Sequence, residues 1–174
     1  MRSCIHIYTG DGKGKTSAAT GLSVRHAGQG GKVLFAQFLK DGSSGEIEVL
    51  KSIPGITVLS CTEKFGFSFR MNEEEKKEAA ACYTAYLQKV LDKAVLEEYS
   101  MLVLDEAVAA YNLQFIDTQQ LLDFLRQKPE TLEVVMTGRN PADELVEIAD
   151  YVSEVRKIKH PFDAGLPARK GIEW

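Results

Sequence analysis

The sequence predicts an α/β sandwich built on a mostly parallel sheet. Three observations predict it. Short β-branched or apolar runs alternate with stretches of helical spacing along the 174 residues. A glycine–lysine turn, "YTGDGKGKTSA" at residues 8–18, stands between the first such run and the first helical stretch. The apolar run "MLVLDEA" ends in two adjacent carboxylates, Asp105 and Glu106.

Each element has its own reason. "CIHIYT" (4–9) is short and β-branched, as a strand is. "KTSAATGLSVRHAG" (15–28) has helical spacing and ends in glycine. "KVLFAQFL" (32–39) is a near-continuous apolar run, which suits a parallel strand covered on both faces. "ITVLSC" (56–61) follows the turn at Pro54-Gly55 and predicts a third strand. "NEEEKKEAAACYTAYLQKVLDKAV" (72–95) predicts a long helix, with Asn72 and Glu75 as a capping box and an acidic first turn that suits the helix dipole. "SMLVLDEA" (100–107) predicts a strand, "TQQLLDFLRQK" (118–128) a helix and "LEVVMTG" (132–138) a strand. "NPADELVEIAD" (140–150) predicts a short helix with Pro141 at its first position. "YVSEVRKIKH" (151–160) predicts a last strand, before a tail rich in glycine and proline. No repeat, low-complexity tract or linker interrupts the chain, so one domain over 1–174 is expected.

Composition narrows the classes of function. A hydrophobic content of 44% supports a real core. A net charge of −4 argues against a general nucleic-acid binder. No apolar stretch approaches the length of a membrane helix, so no membrane partner is expected. "MRSCIHIYTGDG" runs straight into the glycine turn and leaves no room for a signal peptide. Cys4, Cys61 and Cys82 have neither a CxxC nor a metal-ligand spacing. Buried, reduced thiols in a cytoplasmic protein are the expectation.

The turn carries the chemistry. The phosphate-loop pattern is G-x-x-x-x-G-K-[ST]. Gly14, Lys15 and Thr16 match it, and Thr9 stands where the first glycine belongs. The mechanism survives that change. Gly10, Gly12 and Gly14 permit backbone angles that let amide N–H groups face a phosphate, and the following helix adds the positive end of its dipole. Lys15 supplies a charge and Thr16 a hydroxyl for Mg²⁺. The expected nucleotide-binding set is Thr9, Gly10, Asp11, Gly12, Lys13, Gly14, Lys15, Thr16, Ser17 and Gln37. Parallel sheets place ligands beyond the carboxyl ends of their strands, where Asp105 and Glu106 would reach a metal directly or through water. Strand-end polar groups recur at Gln37 with Lys40 and at Thr137-Gly138-Arg139, and Arg139 is placed to meet a triphosphate oxygen. These residues describe an α/β enzyme that binds ATP and Mg²⁺. They leave the acceptor open. A phosphate-loop kinase or ATPase, or a non-catalytic nucleotide-binding regulatory module, remains an alternative.

Beyond single motifs, "YTGDGKGKTSAATG", "FAQFLK", "LDEAVAAYN", "VVMTGRNP" and "VSEVRKIKHPFDAGLPARKGIEW" together resemble the phosphate-loop family of ATP:corrinoid adenosyltransferases. The C-terminal "KHPFDAG…A…KGIEW" discriminates most, since ordinary phosphate-loop enzymes lack it. The resemblance implies a RecA-like three-layer sandwich, a homodimer, and transfer of the 5′-deoxyadenosyl group of ATP to the Co(I) of a reduced corrinoid with release of triphosphate. It implies a flavoprotein reductant and a role in adenosylcobalamin biosynthesis or salvage. It also implies a reversed nucleotide, with the γ-phosphate where α usually sits. Carried over, Lys15, Glu106 and Arg139 become the catalytic residues, with Thr16 and Glu106 on the metal, Asp105 assisting through water and Lys13 assisting the leaving group. The family's aromatic pair G-F-T-W corresponds to Gly66-Phe67-Ser68-Phe69, so Phe67 and Phe69 would cover the corrin without the tryptophan. By the resemblance, such cover would displace the lower axial ligand of cobalt and ease reduction to Co(I). Many family members carry a helix before the first strand. This sequence starts at that strand, so a nucleotide lid is expected from elsewhere or not at all.

Overall fold

A computed structural model describes residues 2–40, 42, 44–61, 63, 65 and 71–173. Among them, six strands make one sheet: β1 (Ile5–Thr9), β2 (Val33–Gln37), β3 (Ile56–Ser60), β4 (Met101–Asp105), β5 (Glu133–Thr137) and β6 (Tyr151–Glu154). Their order is β3-β2-β4-β5-β1-β6. Every neighbouring pair is parallel, so the mostly parallel expectation holds in its strictest form. The helices are α1 (Lys15–Gly28), α2 (Glu46–Ser52), α3 (Glu73–Leu96), α4 (Ala107–Asn112), α5 (Thr118–Gln127) and α6 (Asp143–Ile148).

The central strands explain their own sequences. β2 and β4 are buried at every position because helices cover both faces. Alternate side chains divide between two cores. Leu34 and Leu104 pack with Tyr83 and Leu87 of α3, Val108 of α4, Leu121 of α5 and Leu145 of α6. Val33, Phe35 and Val103 face the other way, onto Ala19 of α1 and Ile47 and Leu50 of α2. The result is the three-layer sandwich expected. The capping box on α3 is formed: Asn72 Oδ1 accepts from the Glu74 and Glu75 amides, both at 2.9 Å, and Glu75 Oε2 accepts from the Asn72 amide at 2.8 Å.

Several expectations need correction. The last strand stops at Glu154 rather than continuing to His160. Its partner β1 ends at Thr9, which pairs with Glu154, so no strand remains for residues 155–160 to join. The chain instead crosses the glycine turn and reaches a 3-10 turn at Pro161–Ala164. α6 begins at Asp143 with Ala142 as its cap, so Pro141 lies before the helix rather than at its first position. Asn112 Nδ2 holds the carbonyls of Arg139 at 3.1 Å and Asn140 at 2.8 Å, and Asn140 takes a positive φ of 50°, which keeps that stretch in a turn. α2 and α4 went unanticipated, and Ala107 belongs to α4 rather than to a strand. Of the thiols, only Cys61 is buried; Cys4 and Cys82 are half-buried, and all three are free. The Cys61 and Cys82 sulfurs lie 3.4 Å apart, and burial together with that neighbour pushes the Cys82 thiol up to about 11. No helix among the described residues is long and apolar enough to cross a membrane.

Candidate active site

The site gathers at the carboxyl edge of the sheet. β1 delivers the glycine turn, and the turn opens α1 at Lys15. Gly14 caps that helix at φ 122°, a backbone angle that favours glycine, although a Cβ there would meet no neighbouring atom. Lys15 lies over the turn, with Nζ donating to the carbonyls of Gly10 and Gly12 at 2.8 Å each. Burial and the nearby Arg139 hold the Lys15 ammonium below its ordinary pKa, while Glu106 and Asp11 act the other way.

The turn is braced from its far side. The Gly12 amide donates to Val155 O at 2.7 Å, and the Val155 amide donates to Thr9 O at 2.8 Å. A Cβ on Gly12 would sit 2.6 Å from Val155 O, so glycine is required here by close backbone approach. That corrects one expectation: the Gly12 N–H is spent on the fold and is not free for phosphate. Asp11 has a bracing role too, since its Oδ1 accepts the Lys157 amide at 3.0 Å, and that bond holds its carboxyl below the usual carboxylate range.

Asp105 is the hub. It ends β4 with no solvent exposure at all. Oδ1 accepts from Thr16 Oγ1 at 2.9 Å and from Thr137 Oγ1 at 2.8 Å. Oδ2 accepts from Gln37 Nε2 at 3.2 Å and from Lys40 Nζ at 3.0 Å. Residues from the ends of β2, β4 and β5 and from the start of α1 after the glycine turn therefore meet on one carboxylate. β5 lies between β1 and β4, and Thr137 at its end bridges the gap, because its Oγ1 also accepts the Glu106 amide at 2.9 Å. Glu106 takes φ 62°, an uncommon angle for a non-glycine residue, and starts α4. Its carboxylate makes no hydrogen bond or ion pair among the described residues. Burial and the adjacent Asp105 push the Glu106 carboxyl up, against Lys40, Lys15 and Arg139.

Arg139 follows β5 and is exposed; its field acts on Asp11, Lys15 and Glu106, so the structure does bring it to the turn. Lys13 and Ser17 are exposed at the same edge, and Gln37 is buried there. Phe67 and Phe69 lie outside the described residues. Among the described residues no three His, Cys, Asp or Glu side chains gather as a metal cluster. The donors present are instead a hydroxyl, two carboxylates and Gln37 Oε1, a buried acceptor without a partner. Such hard oxygens suit a Mg²⁺ that keeps waters and shares phosphate oxygens. The braces at Val155 and Lys157 and the convergence of Lys40 and Thr137 on Asp105 carry no sequence spacing that would reveal them.

The whole chain, residues 1–174, matches the family model described as ATP:corrinoid adenosyltransferase BtuR/CobO/CobP. It is 34% identical to a corrinoid adenosyltransferase of Sinorhizobium sp over 99% of this chain and 81% of that protein. It is 33% identical to one of Escherichia coli K12 over 99% of this chain and 86% of that protein. Among solved structures, the cytoplasmic domain of EssC superposes with a TM-score of 0.56 at 14% identity, covering 97% of this chain and 34% of that one, a likeness of fold. With the family model spanning every residue and these relatives above 30% identity, the chain belongs to the ATP:corrinoid adenosyltransferase family.

Proposed function

We propose that the glycine turn grips the triphosphate of ATP as a leaving group while the ribose C5′ faces a reduced corrinoid. By family, the chain is an ATP:corrinoid adenosyltransferase, moving the adenosyl group of ATP to a corrinoid in cobalamin biosynthesis or salvage. The observation that carries the residue roles is the Thr16–Asp105 bond at 2.9 Å, which ties the turn to the strand-end carboxylates.

The chemistry is an in-line displacement. The electron pair of Co(I) forms the cobalt–carbon bond to C5′, and the C5′–oxygen bond breaks, leaving its electrons on the triphosphate. No proton moves in that step, so the protein needs no general base. It needs charge at the leaving group and a fixed line between reactants. Lys15, at the mouth of the turn, neutralises the departing oxygens, with Lys13 and Arg139 beside it. Thr16 and Glu106 would hold Mg²⁺, with Asp105 acting through water; when bound, that ion supplies further positive charge to the triphosphate. The reversed nucleotide fits this task, because the turn then holds the group that leaves. Phe67 and Phe69 would cover the corrin.

The protein is proposed to work as a cytoplasmic homodimer with a flavoprotein supplying electrons to cobalt. Support for self-association is the edge position of β6, which pairs only with β1 among the described residues, followed by exposed Ile158 and Phe162 at 88% and 70%. The catalytic reading is tested by incubating the protein with MgATP and a chemically reduced corrinoid. The visible spectrum should gain a cobalt–carbon product, and anion chromatography should find triphosphate in equal amount. ADP in place of triphosphate would transfer the chain to the kinase or hydrolase class.

A further inference from the structure

We propose that Lys40 is a further catalytic residue, whose ammonium bridges the buried Asp105 carboxylate and the triphosphate leaving group. The inference rests on the reading above, that triphosphate lies in the glycine turn.

The backbone is built to bring Lys40 there. β2 ends at Gln37, and the Phe38 amide still donates to Asp105 O at 2.9 Å. Leu39 then takes φ 55°, a left-handed angle that is uncommon for a side chain of its kind. Its contacts with the core hold it in place. After that turn Lys40 Nζ lies 3.0 Å from Asp105 Oδ2. β2 and β5 flank β4, so Lys40 and Arg139 approach the paired carboxylates from two sides.

Asp105 does not need Lys40 for hydrogen bonding alone. Thr16, Thr137 and Gln37 already donate to both of its oxygens. What Lys40 adds is charge, and it has donors to spare. An ammonium carries three N–H groups, and Asp105 is its one acceptor among the described residues. The side chain is 30% exposed, at the edge where ligands of parallel sheets lie. Its field also reaches Glu106 more strongly than that of Lys15 or Arg139. Two oxygens of a triphosphate seated on Thr16 would satisfy the remaining donors.

Isothermal titration with magnesium tripolyphosphate tests this on wild type, K40M, K40R and K15A. Loss of a charged hydrogen-bond donor predicts about ten- to a hundred-fold weaker binding for K40M, with K40R close to wild type. If Lys40 served only to neutralise Asp105, K40M would unfold at lower temperature with and without tripolyphosphate, at unchanged affinity. That result, beside a weakened K15A, overturns the role of Lys40 and leaves the turn intact. Unchanged binding in K15A as well overturns the reading of the turn, and the Lys40 role with it. A second measurement needs no variant: magnesium tripolyphosphate should slow acetylation of Lys40 by acetic anhydride in the wild-type protein, read by peptide mass. Equal acetylation with and without tripolyphosphate overturns the bridge.

Discussion

Lys15 and Asp105 mark the two kinds of residue that make this site. Lys15 was legible in the sequence, because the spacing of Gly14, Lys15 and Thr16 carries its own mechanism. K15A should lower turnover about 10²–10³-fold, as loss of one donor to developing negative charge does; a rate within tenfold of wild type in the folded variant would remove the turn from catalysis. Glu106 was legible as a strand-end carboxylate, and E106Q should shift the Mg²⁺ concentration that supports half-maximal rate upward while far-ultraviolet circular dichroism stays unchanged. Asp105 was legible only as its neighbour. Its four donors come from Thr16, Gln37, Lys40 and Thr137, and nothing in the order of those residues says that they converge. D105N keeps the shape but puts an amide nitrogen where a carboxylate oxygen accepts. It should destabilise the fold by about 1.5–3 kcal/mol, the worth of a hydrogen bond to a charged group, measured by chemical denaturation; a loss under half a kilocalorie would show that the hub is not structural.

At the scale of elements, the glycine turn and the segment after β6 form one unit. The Gly12 amide donates to Val155 O, and Thr9 O accepts from the Val155 amide. Asp11 and the Lys157 amide close the second contact. G12A would drive a methyl to 2.6 Å from Val155 O, a backbone atom that cannot swing away. The expected cost is about 1–3 kcal/mol, the range of overpacked sites, with weaker ATP binding in the same variant. A G12A protein as stable as wild type would separate the turn from its brace. Long elements were legible because their periodicity is strong: α1 spans the residues expected, and α3 starts at its capping box. α2 and α4 were not: with seven and six residues they give period too short a window, and neither has the Asn-Pro start that marked the equally short α6. α4 also enters through the positive φ of Glu106, a feature of backbone rather than of composition.

For the whole molecule, the parallel sheet sets the direction of the chemistry. All six strands point their carboxyl ends one way, so the turn, the paired carboxylates, Gln37, Lys40 and Arg139 share one edge. Among the described residues at that edge none is placed as a base for water: Asp105 already accepts from four donors, and Glu106 is proposed for the metal. ATP incubated with the protein and Mg²⁺ but without corrinoid should therefore stay almost intact. Chromatography over many enzyme equivalents checks it, and steady ADP release would contradict the adenosyl-transfer mechanism. The amino edge differs. A cleft of about 370 Å³ beside Ile5 and Leu125 has Lys128 engaged on the Ser3 and Leu132 oxygens and Arg2 on Asp150.

The sequence by itself determined the class of fold, the glycine–lysine turn and the family. Each depends on local order: strand after strand with helical returns, glycines and lysines at fixed offsets, and a C-terminal stretch found in that family. Tertiary structure alone decided how β1 and β4 cooperate across β5, that Val155 and Lys157 brace the turn, and that Lys40 folds back onto Asp105. These are contacts between residues as far as 146 positions apart. The cause is geometric: a buried carboxylate must be met from every side, and a parallel sheet fetches those partners from strands remote in the chain.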